Sequence, residues 1–80
     1  MIEIIEKFDR AWHPMGVEMP TRTVDVELKK KDGAIIDSEI YVDISGHFIY
    51  HDEGWRNPDE YTHWRFKDTV NNRLKFRKEE

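Results

Sequence analysis

His47 and His51, two of the four histidines in this 80-residue chain, stand four apart in Gly46-His47-Phe48-Ile49-Tyr50-His51-Asp52-Glu53. Imidazoles beside carboxylates can hold a divalent metal, move a proton, or simply pair as charges on a wet strand face. Which of these applies depends on the carboxylates across from them, and that is a question of strand register.

Two alternating runs precede the histidines. Val24, Val26 and Leu28 interleave with Asp25, Glu27 and Lys29; Ile36, Ser38, Ile40, Val42 and Ile44 interleave with Asp37, Glu39, Tyr41 and Asp43. This period of two marks half-buried strands. Directly paired residues of an antiparallel hairpin share a face. A two-residue Asp32-Gly33 loop would set Leu28 against Asp37 and Val26 against Glu39. A three-residue loop, Lys31-Asp32-Gly33, instead pairs Leu28 with Ile36, Val26 with Ser38 and Val24 with Ile40. It also places Gly33 at the left-handed position of a type I turn with a bulge. The same template at Ile44-Ser45-Gly46 pairs Val42 with Phe48 and Ile40 with Tyr50. A meander over residues 23–30, 34–43 and 47–51 results.

In that register His47 faces Asp43 and His51 faces Glu39, so Asp25, Glu39 and His51 form a row across three strands; Glu27 opposite Asp37 adds an acidic pair. Three readings compete for this polar face. The plainest is a solvated surface, where ion pairs contribute little. The second is a recognition surface, in which Asp25, Glu27, Asp37, Glu39 and Asp43 attract a basic protein. The third is a metal or acid–base site built from Asp25, Glu39, His47 and His51, which needs convergent ligands and supporting hydrogen bonds. Trp55, between Gly54 and Arg56, is the tryptophan expected at the surface and joins the recognition set. His63, among aromatics, reads as a hydrogen-bonded packing residue before a ligand. No nucleophile elbow, phosphate loop, HExxH or zinc-finger spacing occurs, so no catalytic residue and no cofactor is assigned. The enzyme reading is left with the metal-dependent hydrolase alternative alone.

Size and composition set the frame for these elements. Eighty residues form a single domain, 1–80, that buries only about 60 to 65% of its unfolded surface. Without cysteine, disulfides and thiolate metal sites are excluded. Three Trp, three Tyr and four Phe must therefore supply much of the core. Neither a membrane-length apolar run nor a signal-peptide pattern is present, which points to a cytoplasmic protein away from membranes. Residues 1–60 carry 7 basic and 14 acidic side chains, whereas residues 61–80 carry 6 and 3. The acidic body argues against nucleic acid as its partner. The basic arm Arg73, Lys75, Arg77 and Lys78 is the one candidate for phosphate contact, against the plainer reading of a solvated terminus.

The remaining elements follow from periodicity. Ile2, Ile5, Phe8 and Trp12 recur at helical spacing and predict an amphipathic helix over 1–13, with the Ile2-Ile4 alternation leaving a strand open. Pro14 and Gly16 end it. GWRNPDE reads as a turn-rich loop, and Tyr61 to Phe66 as a fourth strand that closes a sheet over 22–66. Residues 67–80 fit either a helix capped by Asp68 or a last strand after Asn71-Asn72.

Trp12, Met19-Pro20, the strand Val24 to Leu28, Asp32-Gly33, Gly46 to Tyr50 and Thr62-His63-Trp64 together resemble a small domain of unknown function from phage and prophage genomes. The resemblance covers residues 12–66. It departs after Trp64, where the family continues into a Pro-rich tail and this chain reads Arg65-Phe66-Lys67; the N-terminal helix is also extra. The resemblance implies a phage-type protein of a bacterial host cytoplasm, without established catalytic residues. By analogy it implies an accessory role in binding a host protein. The expected fold is α+β: an antiparallel meander of about four strands with one N-terminal helix. An exposed edge on so short a sheet leaves homodimerisation by strand addition open.

Overall fold

The computed structural model describes residues 2–76. These residues hold eight strands and one short α-helix. The strands are β1 (Glu3–Ile5), β2 (His13–Pro14), β3 (Glu18–Pro20), β4 (Val24–Lys30), β5 (Ile35–Asp43), β6 (Gly46–His51), β7 (Gly54–Arg56) and β8 (Tyr61–Phe66); the helix α1 is Val70–Lys75. The fold is thus mostly β, and the expected α+β architecture with a leading helix is overturned.

β4, β5 and β6 form the meander, and the sheet extends to both sides in the order β2-β8-β4-β5-β6-β7. One face buries Val24, Val26, Leu28, Ile40, Ile49, Trp64 and Phe66. Packing aromatic and branched side chains against one another on a pleated surface is what makes this stretch a sheet. A parallel pair, β1 with β3, covers that face. It is tied down where the Trp64 indole donates to the Glu18 carbonyl at 2.6 Å and by buried Met19.

The amphipathic spacing at the N-terminus does not become a helix. An isolated helix of about a dozen residues is marginal in water, and here the backbone donors find tertiary acceptors instead. Glu3 donates to the Val17 carbonyl at 2.7 Å and Phe8 to the Phe76 carbonyl at 2.6 Å. Phe8 still packs inward, 5.6 Å from the Phe66 ring. Trp12 goes to the opposite face of the sheet, with the Arg65 guanidinium at 4.4 Å and the Lys29 ammonium at 4.7 Å.

The ambiguous tail resolves as a helix from 70 to 75, capped by Thr69 rather than Asp68: the Thr69 hydroxyl accepts from Asn72 N. Its inward residue is Asn72, buried, while Val70 and Leu74 are exposed. The Asn72 amide donates to the carbonyls of Asp25 at 2.8 Å and Lys67 at 2.7 Å. Phe76 then closes the core against Phe66, 4.7 Å between ring centroids.

Candidate functional site: an aromatic and acidic sheet face

The first hairpin closes in the expected register, with Leu28 opposite Ile36, Val26 opposite Ser38 and Val24 opposite Ile40. Gly33 sits at φ 94. The second hairpin does not repeat it. Asp43 pairs directly with Gly46 across the two residues Ile44 and Ser45. Ser45 explains why: its N–H donates to Asp43 Oδ1 at 2.8 Å and its hydroxyl at 2.7 Å. Asp at the first position and Gly at the fourth are the residues a type I turn prefers. Gly46 therefore begins β6 instead of ending the loop.

That single step turns over every side chain of β6. Ile49 pairs with Ile40 in the core, while Phe48 and Tyr50 stand opposite Tyr41 and Glu39 on the outer face. The expected pairs of His47 with Asp43 and His51 with Glu39 do not form. His47 pairs with Val42 on the inner side, where its Nε2 meets the Pro20 carbonyl at 2.9 Å. His51 lies on that side too, 3.3 Å from Asp52 Oδ2. Glu39 remains outside, so the row Asp25-Glu39-His51 is broken. Among the described residues no group of three or more His, Asp or Glu side chains is placed to hold a metal.

The loop expected at GWRNPDE contains a further strand. Asp52 and Glu53 both adopt left-handed backbone, φ 54 and 60, and turn the chain tightly from β6 into β7, as two-residue hairpin loops do. This places Trp55 opposite Tyr50 on the outer face. Trp55 is 61% exposed. Its ring centroid lies 5.7 Å from Tyr41, 6.0 Å from Phe48 and 5.1 Å from Tyr50, at interplanar angles of 69°, 73° and 72°. Such edge-to-face contacts are the favoured aromatic geometry. Tyr41, Asp43, Phe48 and Trp55 line an open depression of about 400 Å³.

The outer face therefore has two halves. Toward β8 its charges are compensated: Glu27 meets Arg65 at 2.7 Å and Arg10 at 3.3 Å, and Asp37 meets Lys67 at 3.1 Å. Toward β7 it is aromatic and acidic. Asp25, Glu39 and Asp43 have no ion-pair partner among the described residues. The Ser45 hydroxyl and then its N–H hold the Asp43 carboxyl below its ordinary value of 3.8. Residues 34–60 as a stretch carry seven carboxylates against one arginine, and of the seven Asp37 is the one that meets Lys67.

Of the residues singled out from sequence, Trp55 is exposed as expected, and all five acidic positions lie on the outer face. Tyr41 lies on the outer face, as its alternation with Glu39 and Asp43 predicts, whereas Phe48 and Tyr50, expected on the inner face, are turned outward by the two-residue turn whose signature Asp43-Ile44-Ser45-Gly46 carried. The neutralising role of Arg65 and Lys67 had no local signal, because it comes from β8 lying beside β4. In the basic arm, Arg73 pairs with Asp68 at 2.7 Å, and Lys75 donates to the Thr23 carbonyl at 3.2 Å. Arg77 and Lys78 lie outside the described residues. His63, expected to be hydrogen-bonded, has a buried Nδ1 with no partner among the described residues. His13 is buried on Trp64 at 4.7 Å, between Glu18 at 2.8 Å and Asp9 at 3.0 Å.

Fold and site together define a small, mostly β domain that presents an aromatic and acidic face. No helix among the described residues is long and apolar enough to cross a membrane. No protein-family model, curated protein or solved structure matches this chain.

Proposed function

We propose that this chain is a non-enzymatic accessory protein of phage type that binds a basic surface of a host protein through the outer sheet face. The observation that carries the reading is the overlap of exposed aromatics with excess charge. Tyr41, Phe48, Tyr50 and Trp55 are exposed on the same face as Asp25, Glu39 and Asp43, which have no ion-pair partner among the described residues. Large aromatics anchor protein interfaces, and complementary charge steers the partner to them. Glu27 and Asp37 are already paired within the domain, so the attracting carboxylates are Asp25, Glu39 and Asp43. Both sheet edges are short, two residues in β2 and three in β7, which disfavours strand addition between copies as the mode of association. The test is affinity capture from host lysate with the wild-type chain and with a double variant, Asp25→Lys with Glu39→Lys. Capture of basic proteins should fall in the variant while its unfolding transition is unchanged. Equal capture by the two removes the proposed role.

A further inference from the structure

We infer that the depression lined by Tyr41, Asp43, Phe48 and Trp55 takes a lysine side chain of the partner, which names the contact at the centre of the face and rests on the binding role proposed above. Two tryptophans on the outer face differ in what covers them. Trp12, on the compensated half, already holds two cations on its ring, Lys29 and Arg65. Trp55 has no cation over its ring among the described residues. Arg56, the one basic side chain of residues 34–60, pairs with Ile49 on the opposite side of the sheet.

The chemistry of the walls then selects the occupant. The negative faces of aromatic rings attract a cation within about 6 Å of the centroid. Trp55 stands close to perpendicular to Tyr41 and to Phe48. In edge-to-face contacts each ring face is partly occupied by a neighbour's edge, which leaves room for the point approach of a compact ammonium but hinders a planar guanidinium from lying flat on a ring. Asp43 supplies the counter-charge. Its Oδ1 is fixed by both Ser45 bonds, so the carboxylate is held in place at the wall of the depression. The aliphatic stem of a lysine would lie along Phe48 with its charged head toward Asp43.

The experiment is a proton–nitrogen NMR titration of the full chain with the blocked tripeptide acetyl-Gly-Lys-Gly-amide, and with its norleucine counterpart as the neutral control. The Trp55 indole resonance should move saturably with the lysine peptide and not with the norleucine one. The indole of Trp64, buried and bonded to Glu18, should stay in place and report an intact fold. Asp43→Asn, which keeps size and hydrogen bonding but removes charge, should weaken the lysine peptide about fivefold. Equal shifts with the two peptides, undiminished binding to the Asn variant, or a shift with cellohexaose but with neither peptide would each overturn the inference. Asp25 and Glu39 do not line the depression, so the double Lys variant should still bind the tripeptide. Failure of the pocket and failure of the wider acidic face are thereby separately visible.

Discussion

Replacing Ile49 and Phe48 by alanine, one at a time, tests the register on which the whole outer face depends. Ile49 is 1% exposed and pairs with Ile40 in the core; Phe48 is 39% exposed, with Trp55 as its aromatic neighbour at 6.0 Å. Truncating a fully buried isoleucine costs about 3 kcal/mol, through lost transfer energy and the void left behind. A half-exposed aromatic that loses one edge-to-face partner costs about 1 kcal/mol. A chain of this length has a total stability on the order of 4 to 12 kcal/mol, so the Ile49 variant loses a large share of it. With a urea dependence of about 1 kcal/mol per molar, the midpoint should fall by about 3 M for Ile49→Ala and by about 1 M or less for Phe48→Ala. Urea titration followed by tryptophan fluorescence, with equal slopes for all three proteins, measures this. In the three-residue register the burial of the two side chains is exchanged. A midpoint for Phe48→Ala at or below that of Ile49→Ala would therefore refute the two-residue turn, and the aromatic surface with it.

Three further outcomes are expected. Ser45→Ala should raise the Asp43 carboxyl toward 3.8, read by carbon NMR during a pH titration. Because the folded value is the depressed one, the linked stability is present above 3.8 and is lost as pH falls through the folded value; the same protonation removes the counter-charge, so peptide affinity of the wild type should hold at pH 5 and fall as pH drops through that value. Asn72→Ala, which leaves the carbonyls of Asp25 and Lys67 without their shared donor, should cost about 2 kcal/mol. Its effect should appear as faster amide exchange in α1 ahead of the sheet. Glu53→Gly should stabilise the domain by about 1 kcal/mol in thermal unfolding, since glycine adopts φ 60 without the steric cost glutamate bears there.

Much of the sheet was legible because its signals are local. In β4 and β5 an apolar stripe alternates with carboxylates, and only one loop length keeps that stripe together, so Gly33 had to close a three-residue turn. The second turn offered no such protection. Phe48, Ile49 and Tyr50 are all apolar or aromatic, and either side of β6 can be buried without exposing a charge to the core. The choice then passed to Asp43 and Ser45, whose hydrogen bonds favour the shorter loop. The N-terminal segment misled for a related reason. Ile2, Ile5 and Phe8 suit a helix face, yet the same residues suit a chain laid along β3 and the core, and the sheet supplied acceptors for its backbone.

By itself the amino-acid order determined a small cysteine-free domain, the strands β4 and β5 with their register, an exposed Trp55, and acidic residues on one side of the sheet. The tertiary structure alone decided that β8 lies beside β4, where Arg65 and Lys67 pair with two of those five carboxylates. It also decided that β7 folds back to bring Trp55 over Tyr41 and Phe48. Alternation of oily and charged residues is written between near neighbours, whereas the partner of a strand is chosen by the packing of the whole core, and no short stretch of chain encodes that choice.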